Sequence, residues 1–397
     1  MSLPAVLVCE PRVASLKVVA LPVLDRLLVA AHRAGCSSIT VVCQGELPRL
    51  ERAKALGVPF AVAGEPPVLC GPTLLASTRA LAQAGDLARV MAEGGRLSAG
   101  DGSPLPVGVA ARFTGSVEAS LEGGPSVIAR EAAALVEDRP SARRAGRLLW
   151  ASLVSSTDGP MDRLLNRPLG RPLARLLVHT PVTPNQVTLA CMVIGLSAAW
   201  FFSTGSHQDA ILAAGLFVIC TIIDCVDGDI ARALFKESRL GKWLDITADQ
   251  VVHVSLFVAI AVGLSRAGSD APVLALGASA ALGAVISFAV VLRGMLRPEA
   301  GRSSHLARLI DAATSRDFAY PLLLLAVLDR LEIFLWLAAV GSHVFWILIL
   351  ALGAQPGGAL ASRTGGRTEG RERPREAHRP GSAVASRAEG KTEGAAS

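Results

Sequence analysis

Residues 210–249 read AILAAGLFVICTIIDCVDGDIARALFKESRLGKWLDITAD. The run opens as an apolar stretch long enough to cross a bilayer and then turns acidic. Asp224 and Asp227 stand three apart; beyond a short basic connection, Asp245 and Asp249 stand four apart. On helices, each pair projects from one face. Gly228 and Arg232 continue the first stripe in four-residue steps, and Gly241 precedes Asp245 on the second. The connection is short enough to make the helices antiparallel neighbours, so four carboxylates converge near one end of a helix bundle.

Working outward, apolar segments recur at about 187–204, 210–230, 243–264, 272–296, 317–329 and 333–354. Most reach the roughly 20 residues that a transmembrane helix needs; the fifth is short. The whole chain of 397 residues is 51% hydrophobic, 4% aromatic and 18% charged, with mean hydropathy +0.46. Soluble chains average about 25% charged residues, so a single soluble globule is excluded. Basic residues mark one side of the membrane. Arg232, Lys236, Arg239 and Lys242 follow the second segment, and Arg293, Arg297, Arg302, Arg308 and Arg316 follow the fourth, whereas the opposite connections hold only Arg266 and Arg330. By the positive-inside rule this is a multi-pass protein of the cytoplasmic membrane, with both termini and the acidic site facing the cytoplasm. Trp200, Phe201, Phe202 and Trp243 fall near expected membrane boundaries.

Four carboxylates at a membrane boundary repel one another unless something neutralises them. Hard oxygen ligands suit Mg²⁺, Mn²⁺ or Ca²⁺, and no His or Cys cluster competes for zinc. His179, His253 and His343 are not at metal-ligand spacing, and His253, one turn beyond Asp249, reads as a core or cavity-lining residue. Two divalent ions held this way grip a diphosphate. The competing readings are a set of solvated helix-end acids, or the ion path of a divalent-cation transporter, which would want its acids near mid-bilayer.

The spacing D-x2-D-G-x2-A-R-x8-G-x3-D-x3-D is met at every specified position by Asp224, Asp227, Gly228, Ala231, Arg232, Gly241, Asp245 and Asp249. It resembles the signature of the CDP-alcohol phosphotransferases, membrane enzymes of six transmembrane helices, over about residues 150–354. The resemblance implies transfer of a substituted phosphate from a CDP-linked alcohol to an acceptor hydroxyl, with release of CMP and dependence on two Mg²⁺ or Mn²⁺ ions. It makes Asp224, Asp227, Asp245 and Asp249 metal ligands, and Asp249 also the base. Gly228, Ala231 and Arg232, with Asp227, Gly241, Asn185 and Thr188, then serve the CDP moiety; Asn185 and Thr188 belong to a stretch resembling the segment that opens the family's first membrane helix. Asp158, Gly159, Arg163, Asn166 and Arg167 resemble the branch that uses inositol phosphate. Membrane lipids and a second copy of the chain are the partners implied.

The acceptor alcohol stays open on this resemblance, with a tilt toward a polyol phosphate such as inositol phosphate, and Arg293, Arg297 and Arg316 are candidates to hold its phosphate, with plain orientation charge as the alternative. The donor stays open between CDP-diacylglycerol and a CDP-polyol such as CDP-inositol. No basic face with interleaved aromatics suggests nucleic acid.

Residues 1–145 are of another kind. Short apolar runs at Ala5–Cys9, Ser38–Cys43, Phe60–Ala63 and Val68–Cys70 read as strands, and Pro22–Ala34 and Leu74–Ala84 as helices, which argues an α/β, Rossmann-type domain with a parallel sheet. Leu21–Arg26 and Ala34–Val42 resemble the nucleotidyltransferases. A triphosphate cradle should follow the first strand as a Gly-rich loop, but the chain reads Glu10-Pro11-Arg12-Val13-Ala14-Ser15-Leu16-Lys17, without glycine, and Val68–Pro72 offers no metal carboxylate. The expectation is an inactive domain kept as a scaffold; the alternative is a bifunctional cytidylyltransferase and di-inositol-phosphate-phosphate synthase.

Between the two parts, residues 146–185 place Arg163, Arg167, Arg171 and Arg175 at four-residue steps among leucines, the pattern of an interfacial amphipathic helix. A linker helix packed on the first domain is the alternative, since Pro168 and Pro172 interrupt the stretch. The tail, 355–397, carries eight Lys or Arg against five Glu and reads as disordered. The seven cysteines form no CxxC pair and read as reduced. The opening MSLPAVLVCEPR lacks the pattern of a cleaved leader.

Overall fold

The computed structural model describes residues 2–153, 158–295 and 317–353. The expected disordered tail, Arg297 and Arg316 lie outside the described residues. In the front part, Ala5–Cys9 is a central strand, parallel to Ile39–Cys43 on one side and to Thr73–Ser77 on the other. The sheet has seven strands, in the order Ser126–Ile128, Arg96–Ser98, Pro104–Ala110, Thr73–Ser77, Ala5–Cys9, Ile39–Cys43, Ala61–Ala63. The helix expected over Pro22–Ala34 runs Val23–Arg33. Its Leu24, Leu27 and Leu28 share a buried cluster with Leu7, Val41 and Leu74 of the sheet.

Three expectations are corrected here. The sheet is mixed, because Pro104–Ala110 runs antiparallel to both of its neighbours. Leu74–Ala84 is not a helix: Thr73–Ser77 is a strand, Ala80–Leu81 a second short one, and the helix begins only at Ala84. Every residue of Thr73–Ser77 is buried, so the strand shows no alternation, and a short apolar run cannot be told from a buried helix by its period. Val68–Cys70 forms no strand, and Val68 is 92% exposed.

The second part is helical. Among the described residues, five helices are long and apolar enough to span a membrane: Pro184–Phe202, His207–Ala233, Arg239–Arg266, Val273–Met295 and Leu331–Gly353. They are called the first to fifth spans below. The short segment expected at 317–329 is a helix of nine residues, Ala319–Val327. The first span starts on a capping box: the Thr183 side chain accepts from Gln186 N–H while Gln186 accepts from Thr183 N–H, with Pro184 in the first turn. Ser238 caps the third span, its hydroxyl accepting from Gly241 N–H at 2.9 Å.

A helix, Arg139–Ser152, runs across the expected boundary between the front part and the connector, which then holds a π-helical turn, Asp162–Asn166, continuous with the helix Arg167–Leu177. Gly170 lets that last helix lie against the second span, since a Cβ there would stand 2.9 Å from the Ile222 carbonyl oxygen. Leu164, Leu169, Leu173 and Leu176 are exposed, as are Arg163 and Arg175. Arg167 leaves the expected cationic stripe: it is buried and ion-paired, because Asp158 and Asp229 are within its reach. Pro172 sits inside the helix and does not end it. The two parts share apolar packing, with Val13, Val18 and Leu81 of the front part in one buried cluster with Val187, Val226, Ile230 and Leu234.

Candidate metal and nucleotide site

The second span stays helical through Ala233 and the third begins at Arg239, so both acidic pairs lie on regular helix. One oxygen from each of Asp224, Asp227 and Asp245 falls within 4.8 Å of the others. Oxygens that close can share one cation, whose oxygen distances are about 2.0–2.6 Å. Asp224 and Asp227 are buried, and Asp245 is partly so. The donor set is all carboxylate, so the residues fit a hard divalent ion. Asp249 is not in the trio but lines the same cavity one turn further along the third span.

The neighbours hold these acids in place. The Thr188 hydroxyl, on the first span, donates to Asp227. Arg232 lies along its own helix over Gly228, where a Cβ would stand 3.1 Å from Arg232 Nη2. Arg232 Nη2 donates to Asp229 Oδ1 at 3.0 Å, while its Nε is buried without a hydrogen-bond partner among the described residues. A buried, unspent guanidinium N–H suits a phosphate oxygen. Gly241 faces Asn185: a Cβ at 241 would stand 2.9 Å from Asn185 Oδ1.

Beside the acids, Asp158, Asn166 and Arg167, singled out in the sequence by resemblance, join an ion cluster with Asp162, Asp229 and Tyr320, which sequence reasoning missed. Arg167 Nε and Nη2 donate to Asp158 at 2.5 and 2.6 Å, and Nη1 donates to Asp229 and, at 3.1 Å, to the Leu153 carbonyl. Burial alone would lower the Arg167 pKa; Asp158 and Asp229 outweigh it and hold the guanidinium above its ordinary value. Tyr320 donates to Asn166 Oδ1 at 2.6 Å, and Asn166 in turn donates to Asp162 at 2.7 Å. The one signal for Asp229 in sequence was its place directly after Gly228.

Asp224, Asp227, Gly228, Arg232, Asp245 and Asp249 all line one cavity of about 760 Å³. Asn185, Thr188, Ala231 and Gly241 are not among its lining residues. The rest of the wall is largely apolar, with Phe257, Phe288, Leu292, Phe334, Leu337 and Phe345. His253 lines it too, edge-on to Phe217 and Phe318. Arg293 is exposed and does not line the cavity. Arg297 and Arg316 lie outside the described residues.

Residues 181–345 match the CDP-alcohol phosphatidyltransferase family. The phosphatidylinositol phosphate synthase of Streptomyces avermitilis is 30% identical over 177 residues, 42% of this chain and 70% of that protein. The chain belongs to the CDP-alcohol phosphatidyltransferase family. Another relative in sequence is the bifunctional IPC transferase and DIPP synthase of Thermococcus kodakarensis, 33% identical over 120 residues, 30% of this chain. The match spans only about a quarter of that relative's length, 27%. Phosphatidylinositol phosphate synthase of Mycobacterium tuberculosis, solved with CDP-DAG bound, is 20% identical with a TM-score of 0.37, over 49% of this chain and 97% of that one. The carboxylate trio lies within the residues that match the family.

Proposed function

We propose that this CDP-alcohol phosphatidyltransferase moves a phosphatidyl-type group from a CDP-linked lipid to the hydroxyl of inositol phosphate, releasing CMP. The observation that carries this reading is the shape of one cavity, with three convergent carboxylates and Arg232 in one part of its wall and aromatic and aliphatic side chains over much of the rest. A soluble donor has no use for the apolar wall, whereas acyl chains do. Relatives named phosphatidylinositol phosphate synthase and archaetidylinositol phosphate synthase support the acceptor.

Asp224, Asp227 and Asp245, with Asp249 beside them, would hold two Mg²⁺ or Mn²⁺ ions. When bound, such ions neutralise the diphosphate and stabilise the departing CMP oxygen. Arg232 offers its unspent Nε–H to a phosphate oxygen. Asp249 takes the proton of the acceptor hydroxyl as that oxygen attacks the phosphorus next to the lipid alcohol and the bond to CMP breaks. Asn185, Thr188 and Gly241 act from behind, on the orientation of Asp227 and of the helix starts. The same reading takes the front domain, 1–145, as inactive, since Pro11–Ala14 follows the first strand as a helix where a Gly-rich cradle is required. It takes 146–185 as an interfacial connector, 186–354 as six crossings of the cytoplasmic membrane with both termini inside, 355–397 as a basic tail, and the working unit as a homodimer.

A second reading, with CDP-inositol as donor and an active cytidylyltransferase in front, draws on the relatives named bifunctional IPC transferase and DIPP synthase. The test separates the two. Purified full-length protein receives Mn²⁺, inositol phosphate and either CDP-diacylglycerol or CDP-inositol, and CMP is measured. CMP release that needs CDP-diacylglycerol and inositol phosphate together is expected. Release with CDP-inositol alone would favour the second reading, and release with neither donor would overturn both. Asp249→Asn should abolish turnover while CDP-alcohol binding survives; equal loss of both would remove Asp249 from the base role.

A further inference from the structure

Five residues, 234–238, join the second and third spans, and so join Asp224 and Asp227 to Asp245. Phe235 in this loop has φ of +55°. That left-handed conformation costs a residue other than glycine about 1–2 kcal/mol, and it persists only where the surroundings over-determine it. The surroundings here belong to the front domain. Phe235 is 6% exposed and packs in the same buried cluster as Leu24, Leu28 and Leu50.

Three arginines of the front domain, Arg26 and Arg33 on the helix Val23–Arg33 and Arg52 on the short helix Glu51–Ala55, converge on the loop. The Arg33 guanidinium lies 4.9 Å from the Phe235 ring centroid and that of Arg26 lies 5.6 Å away, both within cation–π range. The Phe235 carbonyl accepts from Arg52 and, at 3.4 Å, from Arg33. Arg33 also pairs with Glu237 at 2.6 Å. Arg26, only 2% exposed, donates to the Ala233 carbonyl at 2.8 Å, and to the Val18 and Val19 carbonyls at 2.6 and 2.8 Å. The Arg52 segment is itself anchored, its N–H donating to the Asp25 carboxylate at 2.9 Å and that of Ala53 at 2.7 Å.

Apolar packing between the two parts needs none of this. A loop that only had to turn would carry glycine or asparagine at the left-handed position, and a merely covered surface would not spend a buried guanidinium on the last carbonyls of a helix. We propose that the front domain is a clamp on this loop, and that Phe235, gripped by Arg26, Arg33 and Arg52, is a positioning residue. It holds the ends of the second and third spans in the register that brings Asp245 to Asp224 and Asp227. The inference rests on the metal-site reading above, in that its consequence is the geometry of the carboxylate trio.

The test uses the full chain in detergent, with Mn²⁺ affinity measured by titration and amide exchange followed over residues 239–249. Phe235→Gly keeps the backbone conformation available and removes the ring, with its seat in the front domain's core and its contacts to Arg26 and Arg33, while the bonds to the backbone carbonyls stay. It should weaken Mn²⁺ binding about tenfold, corresponding to ~1.4 kcal/mol, and speed exchange at the start of the third span. Phe235→Tyr should restore both, which a general loss of stability would not predict. Arg33→Gln, at a partly exposed position, keeps the proposal testable if Phe235→Gly fails to fold, and should move both measurements in the same direction by less. Unchanged Mn²⁺ affinity in folded Phe235→Gly or Arg33→Gln overturns the clamp. If the unaltered protein binds no Mn²⁺, the metal-site reading fails instead; the exchange data then decide the clamp alone, and unchanged protection over 239–249 overturns it.

Discussion

The Thr188 hydroxyl on the first span donates to the Asp227 carboxylate on the second. This bond ties a residue outside the acidic motif to one of its carboxylates, and it does so across two helices. On the proposed metal reading it would orient a ligand oxygen, as an outer partner of a metal site does.

Thr188→Val keeps the shape of the side chain and removes that donor. Mn²⁺ affinity should fall about tenfold, at the low end of what lost outer partners cost. Calorimetric titration checks it, and an unchanged affinity would show that Asp227 needs no such support.

Arg167 is the only cation paired with both Asp158 and Asp229 among the described residues. Arg167→Met removes the paired bonds to Asp158 while Arg232 still reaches Asp229, and should destabilise the protein by about 1–3 kcal/mol. Arg167→Lys should recover only part of this, since an ammonium cannot make the paired bonds to Asp158. Thermal unfolding in detergent reads both variants; equal stability of Arg167→Lys and the unaltered protein would contradict the account.

Gly170 marks where the connector helix meets the second span. A methyl group there would stand 2.9 Å from the Ile222 carbonyl oxygen and 3.1 Å from Val226 Cγ2. Backbone cannot swing away as a side-chain tip can, so Gly170→Ala should cost about 1–3 kcal/mol, despite alanine's better helix propensity. A rise in melting temperature would sink this reading.

Metal should stabilise the fold through the trio. At an Mn²⁺ concentration of about 100 times the Kd, binding adds ~2.7 kcal/mol, so the melting temperature should climb with added Mn²⁺ and fall back with chelator. Asp224→Asn and Asp245→Asn should lose the response. A response that survives in both variants would place the ion elsewhere.

The acids were legible because helical spacing is arithmetic. Three and four residues apart means one face, and a membrane boundary makes four acids conspicuous. The start of the first span was legible only through the stretch around Asn185 and Thr188, and the third span begins at Arg239, ahead of the expected 243, because Ser238 caps it. Thr73–Ser77 misled because burial on both faces erases the alternation that identifies a strand. Arg167 misled in the opposite way: its regular spacing with Arg163, Arg171 and Arg175 looked like a surface stripe, but its partners Asp158 and Asp229 sit 9 and 62 positions away.

By itself the sequence determined the two-part organisation, five apolar helices within a few residues of their ends, and which carboxylates share a helix face. All of these are set by hydropathy and local geometry. Only the tertiary structure decided which three of the four acids come within 4.8 Å of one another, that Thr188 and Arg167 reach into the site, and that Phe235 is seated in the front domain. Those facts depend on how separate elements pack and rotate against each other, and the interactions that set the rotation join residues that are strangers along the chain.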